Sequence, residues 1–293
     1  MKIDSEIYLG PIKKLRRSNL WSLCASAILI ASTISYSILS FYFSHKQDAW
    51  IHGEWLVNFA DGYVRRGLAG EVLIELDPLL STSILIPTLQ SALFASLALV
   101  LWNHVIKEPS TESLILIFSP IGLLFFLIDP YQATGRKEVL FLTASIWFLV
   151  GVRAKLIQSK SLEFLATISV FGLVFFIHEG FALFAPAVAL AAHLIRKTEA
   201  AHLIVGVTTP AFLAVLMSFL YRPRESIGQC TEVVKLGYSR SICDGAINWG
   251  LNDLGYSLEA NIRQAMDFSF IFIYALCMLF SIALLSIALR GVK

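Results

Sequence analysis

Charge is scarce in this chain. Only 15% of its 293 residues are Asp, Glu, Lys or Arg, and 57% are hydrophobic. An ordinary soluble domain carries about 25% charged residues. The deficit, with a mean hydropathy of +0.72, excludes a soluble domain of any size. Catalytic signatures are scarce too. No His/Cys/Glu spacing of the zinc type occurs, no Walker loop and no dinucleotide glycine signature. No metal site or cofactor is read, and a divalent metal has no support in the sequence. The apolar runs lack a Ser or Cys nucleophile with a nearby base, which argues against an intramembrane protease. They also lack the polar residues that line the middle of several spans in an ion-coupled transporter; Asn103 and His104 stand alone. Nucleic-acid binding has no support, and no internal repeat is evident.

What is present is a series of apolar runs near the ~20 residues that cross a bilayer core. Eight are read, at 19–43, 83–106, 113–128, 139–152, 163–177, 181–195, 201–221 and 268–289. The expected fold is all-α, a polytopic membrane protein forming a single integral domain over 1–293. Residues 163–195 as one helix would reach about 50 Å at 1.5 Å per residue. That exceeds a core of roughly 30 Å, so a hairpin broken at "HEG" (178–180) is expected instead. The first run is too long for a signal-peptide h-region and has no clear cleavage site, so it is read as a retained span.

Lys and Arg set the direction. The tail 1–18 holds Lys2, Lys13, Lys14, Arg16 and Arg17. With that tail in the cytoplasm, eight spans also put Lys107, Arg153, Lys155, Lys160, Arg196, Lys197, Arg290 and Lys293 inside. Both termini are then cytoplasmic. The plasma membrane, the inner one in a bacterium, is the expected location. Cys24 and Cys277 fall within spans, as small packing residues. Cys230 and Cys243 fall in the loop 222–267, which this topology places outside, where a disulfide is permitted. The alternative is two free thiols.

Four polar stretches share that outer side: loop 44–82, "DPYQATGRKE" (129–138), "HEG" (178–180) and loop 222–267. In loop 44–82, Trp50, Trp55 and Phe59 suit a membrane interface. Val64, Leu68, Val72 and Leu76 recur at a helical spacing, and Pro78 ends the run. Two interfacial helices joined near Asp61-Gly62 are expected. Asp61 is either a functional acid or a cap for the second helix. Arg65 and Arg66 either hold a ligand or contact lipid headgroups. Arg136 and Lys137 stand at the start of an outward-facing helix, where the dipole favours phosphate; snorkelling to lipid phosphates is the alternative. His178 and Glu179 lie between two short apolar segments, at a depth where ionisable groups usually face a partner. A solvated tight turn broken at Gly180 is the other reading.

Cations suit a phosphate, and a nearby carboxylate can take a proton from an attacking hydroxyl. Together these point to glycosyl transfer from a polyprenyl-phosphate or pyrophosphate sugar at the extracytoplasmic face, in envelope glycan assembly. Asp61 is the first candidate base and Glu179 the second, with His178 orienting a carboxylate or phosphate. Arg65, Arg66, Arg136 and Lys137 are the candidate phosphate ligands. The partners so implied are the bilayer and a polyprenyl-linked sugar.

The layout resembles that of the C superfamily of integral-membrane glycosyltransferases (GT-C). Its members have a cytoplasmic N-terminus, a long first external loop with two juxtamembrane helices, and an acid in that loop. They use polyprenyl-linked donors on the extracytoplasmic side. The resemblance covers the first seven spans and implies Asp61 as the matching acid, with Asp48 and Glu54 as lesser alternatives. The chain departs from the pattern in lacking an Asp-Glu pair after the first span. "NIRQA" (261–265) is similar to a short motif of Wzy/EpsG-type polysaccharide polymerases, which implies the same substrate class with block polymerisation as the reaction. A lipid-linked-glycan translocator or a membrane assembly subunit is the non-enzymatic alternative.

Overall fold

Helices account for every regular element in the computed structural model, which describes residues 10–61, 66–103, 134–220 and 227–249. In chain order they are α1 (Gly10–His45), α2 (Gly67–Leu76), α3 (Thr82–Leu101), α4 (Glu138–Ala154) and α5 (Lys160–Ile177). α6 (Ala185–Arg196), α7 (Ala201–Leu220), α8 (Ile227–Lys235) and the short α9 (Ala246–Trp249) follow. Tight 3-10 turns occupy Gly53–Leu56, Glu179–Phe184, Lys197–Ala200 and Arg240–Asp244. Among the described residues, five segments are long and apolar enough to cross a membrane: Ser26–His45, Thr82–Leu101, Lys160–Ile177, Glu179–Arg196 and Ala201–Ser218. Their outer faces are apolar. Leu165 and Leu173 on α5, Leu190 and Leu194 on α6, and Phe212 on α7 are all exposed. A water-soluble helix would put charge on that face, so these surfaces suit lipid.

Six of the expected runs coincide with helices. The runs 113–128 and 268–289 lie outside the described residues, as do Arg65, "NIRQ" and Cys277. The expected helix break at 178–180 is present. α5 ends at Ile177, and His178 turns to an extended conformation (φ −156°, ψ 102°). Its Nδ1 accepts the Gly180 N–H at 3.1 Å, which caps the Glu179–Phe184 turn leading into α6.

Packing divides the chain into two compact units. One comprises Met1–Tyr36, Ala98–Ala133 and Asn261–Lys293; the other comprises Ser37–Leu97 and Thr134–Ala260. The second contains all that follows, in two layers. α4, α5, α6 and α7 enclose an apolar core around Phe141, Phe171, Phe175, Phe181 and Val207. The connecting segments form their own core from Trp55, Leu56, Val57, Leu73, Ile86, Val233, Tyr238 and Ile242.

That second core corrects the expectation of two interfacial helices in loop 44–82. Its first half is a four-residue 3-10 turn buried in the protein. Trp55 donates its ring N–H to the Gly135 carbonyl at 2.6 Å, which draws the segment inward. Only Trp50 of the two tryptophans remains exposed. The second half is helical, as α2, which buries Ala69, Gly70 and Leu73 and exposes Val72 and Leu76. Gly70 is needed there, since a Cβ would sit 2.0 Å from the Val57 carbonyl oxygen.

A disulfide joins Cys230 on α8 to Cys243 in the turn Arg240–Asp244, thirteen residues apart. The bridged segment is tied down along its length. The Tyr238 hydroxyl bonds the His52 ring and Thr82 Oγ1, both at 2.9 Å. Ser239 N–H donates to Gln47 Oε1, and Ala246 N–H to the Ala49 carbonyl.

Candidate functional site: a buried charge cluster

Three segments far apart in sequence meet around one guanidinium. Arg66 lies just before α2 with a left-handed backbone (φ 69°). Such a conformation is costly for a residue with a side chain and persists only where its surroundings enforce it. Here they do. Lys137, at the N-terminus of α4, donates its Nζ–H to the Arg66 carbonyl at 2.9 Å. The Arg66 side chain reaches Glu54 Oε1 through Nη1 at 3.4 Å and Glu179 Oε1 through Nε at 3.5 Å. His178 Nε2 lies 3.5 Å from the same Glu54 oxygen. Because Nδ1 accepts from Gly180, a neutral His178 carries its proton on Nε2, facing Glu54.

Burial is graded across the cluster. Lys137 is fully buried, the Glu54 side chain is 4% exposed, that of Glu179 13% and that of Arg66 31%. Solvent therefore reaches the group from the Arg66–Glu179 side. Two carboxylates offset two cations, as buried charges require. Burial favours a neutral Glu54, but His178, Arg66 and Lys137 outweigh it and hold the carboxyl well below its usual range. Burial also works against the Arg66 charge, and Glu179 and Glu54 reverse the effect, so its pKa is raised. Burial pushes the Lys137 ammonium down to about 8, against the pull of Glu54 and Glu179. Lys137 also lies 5.9 Å from the Trp55 ring centroid. The loop before it is pinned through Gly135, whose carbonyl accepts from both Trp55 and Gln90.

The arrangement leaves bonding capacity unused. Glu54 Oε2 is buried with no hydrogen-bond partner among the described residues. Lys137 makes a single hydrogen bond among the described residues, to the Arg66 carbonyl, and has two more N–H groups. The cluster can thus present a guanidinium aligned by two carboxylates to an anion, with a buried ammonium behind it.

Of the residues singled out in the sequence, Arg66, Lys137, His178 and Glu179 converge here. Arg136 is half-buried next to Lys137 in the chain. Asp61 is engaged elsewhere. Its two carboxylate oxygens accept the N–H groups of Gly228 and Gln229, at 3.1 and 2.9 Å. It is a cap, as one reading held, but of α8 and not of α2. Gly228 permits the approach, since a Cβ there would lie 2.2 Å from Asp61 Oδ1. Asp48 is likewise committed, its Oδ1 accepting from Trp50 and Ile51 N–H. Glu54, a lesser alternative in the sequence, is the central carboxylate. Its one signal was an acid inside the aromatic run "AWIHGEWL".

A second charged group closes the other end of α5. Glu163 accepts from Arg196 Nη2 at 2.8 Å and pairs with His202 Nε2 at 2.9 Å, while Arg196 Nε donates to the Val152 carbonyl at 2.7 Å. These bonds tie α4, α5, α6 and α7 together, roughly 21 Å along the helix from the His178 end. Among the described residues, no group of three His, Cys, Asp or Glu side chains is placed to hold a metal ion. No protein-family model, no curated protein and no solved structure matches the chain.

Proposed function

We propose that the chain is an integral-membrane glycosyltransferase that uses a polyprenyl-phosphate-linked sugar at the extracytoplasmic face. The observation that carries this reading is the Arg66 guanidinium, 31% exposed and aligned by Glu54 and Glu179. A fixed guanidinium edge is suited to a phosphate ester. Apolar outer faces on the helices support a membrane location. The basic loops support eight spans, cytoplasmic termini, and the Arg66 cluster on the outer side of the plasma membrane.

In this reading the donor phosphate docks on the Arg66 guanidinium, and Lys137 holds the Arg66 backbone in place. An acceptor hydroxyl attacks the anomeric carbon and gives its proton to Glu179. The bond from that carbon to the phosphate oxygen breaks, the phosphate keeps the electron pair, and Arg66 stabilises the added negative charge. Glu179 is chosen as base over Asp61 because both Asp61 oxygens are bonded to α8. It is chosen over Glu54 because it is the more accessible carboxylate of the two. Glu54 and His178 position the pair.

The test is transfer by the purified protein in liposomes supplied with undecaprenyl-phosphate sugars and a lipid-linked acceptor. Glu179→Gln should slow transfer by about 100-fold or more, the usual worth of a general base. Asp61→Asn should leave it within a fewfold. The opposite pattern would remove Glu179 from the base role.

A further inference from the structure

The disulfide-closed segment grips residues 47–61 along their length. Ser239 N–H donates to Gln47 Oε1, and Ala246 N–H to the Ala49 carbonyl. The Tyr238 hydroxyl bonds the His52 ring. Asn58 Nδ2 donates to the Gln229 carbonyl at 3.3 Å, and Asp61 accepts from the N–H groups of Gly228 and Gln229. Glu54, the central carboxylate of the charge cluster, lies in the middle of this strip. Its turn, Gly53–Leu56, abuts the turn Arg240–Asp244 that carries Cys243. A Cβ on Gly53 would lie 3.1 Å from the Ile242 carbonyl oxygen. Trp55 and Leu56 share a core with Ile242 and Cys243, and Cys230 packs against it.

The gripping segment depends on its bridge. α8 has nine residues, fewer than the ~12–15 at which an isolated helix is even marginal in water. Closing the ring removes freedom that the open chain would regain. We infer that the segment 227–249 is a redox-sensitive clamp on the strip 47–61. With the bridge closed, it holds Glu54 against Arg66 and His178. With the bridge reduced, the segment loosens, the strip loosens with it, and the cluster loses its central carboxylate. Closing is a thiol–disulfide exchange. The thiols of Cys230 and Cys243 give two electrons and two protons to a disulfide oxidant, which becomes two thiols, and the S–S bond forms between them. A reductant reverses the step. On the topology proposed above, the bridge faces the compartment where such oxidants act. The clamp acts on the geometry of the cluster, whichever ligand the cluster takes.

The test is amide hydrogen exchange, read by mass spectrometry, on the full chain in nanodiscs. It compares the oxidised wild type, the wild type reduced by a phosphine, and a variant carrying Cys230→Ser and Cys243→Ser. Opening the bridge should speed exchange over residues 48–58 by about tenfold or more, a part of what closing a short loop supplies. Exchange in α5 and α7 should not change. Oxidised glutathione should restore slow exchange in the reduced wild type and not in the variant. An unchanged rate over 48–58 would overturn the clamp, because the bridge would then staple only its own loop. Equal acceleration in α5 and α7 would overturn it as well, since the bridge would then be a general stabiliser. Thiols that stay free in the presence of oxidised glutathione would also overturn it. Should the variant not fold, the reduced wild type decides alone. No substrate enters the assay, so its outcome is independent of the transferase reading.

Discussion

Glu54→Gln is the most demanding substitution for this account. The side chain keeps its size and loses its charge. In the wild type, Glu54 is 4% exposed and lies 3.4 Å from Arg66 Nη1 and 3.5 Å from His178 Nε2. Removing one partner of a buried ion pair typically costs about 3–5 kcal/mol. Both contacts exceed the 2.7–2.9 Å of tight charge-assisted bonds, and Glu179 keeps its hold on Arg66. The low end, about 3 kcal/mol, is therefore expected. Reversible unfolding in mixed micelles, followed by tryptophan fluorescence, measures it. The pH dependence provides a second check. The Glu54 pKa is lowered on folding from an ordinary 4.5. Its contribution is therefore complete above about 4.5 and fades as pH falls through the folded value. The gap between wild type and variant should be widest near neutrality and narrow in acid. A gap under about 0.5 kcal/mol at pH 7, the scatter of ordinary surface changes, would show that the cluster does not hold these segments together.

Other perturbations separate the cluster from its surroundings. Asp61→Ala should cost about 1 kcal/mol, as loss of a helix cap does, and Gly228→Ala should destabilise the wild type but do little in the Asp61→Ala background. Additive effects in thermal melts would deny that contact. Replacing Cys230 and Cys243 together with Ser should lower stability by about 3 kcal/mol, the chain-entropy value for a short closed loop; a reductant should reproduce the loss in wild type and not in the variant. The Lys137 pKa, lowered by burial to about 8, means that its charge is present below that pH and lost above it. Donor binding should decline through an alkaline limb near pH 8, and Lys137→Met should abolish that limb.

The helices were legible because a bilayer core demands long apolar runs, and α1, α3, α5, α7 and the turn leading into α6 with α6 itself each supply one. The break at His178-Glu179-Gly180 was legible from length alone, since no single helix of residues 163–195 fits the core. The shared side of "VRRG", "GRKE" and "HEG" followed from counting basic loops, and Arg66, Lys137 and Glu179 do meet. Three features were not legible, for the same physical reason. The Asp61 partner lies 167 residues away in sequence, so local reading offered only the nearest helix to cap. Glu54 sits among tryptophans that fit a membrane interface; only the bond from Trp55 to Gly135, eighty residues on, turns that segment inward and buries the acid. The Glu163–Arg196–His202 group likewise joins three segments with no local pattern to announce it.

The central claim is that Arg66, aligned by Glu54 and Glu179, receives the phosphate of a lipid-linked sugar. The direct measurement is the affinity of the purified chain in nanodiscs for undecaprenyl phosphate, in wild type and in Arg66→Gln. The account predicts saturable binding by the wild type and at least a tenfold loss in the variant, the weight of one charge-assisted contact. No binding by the wild type, or equal binding by both, would contradict it.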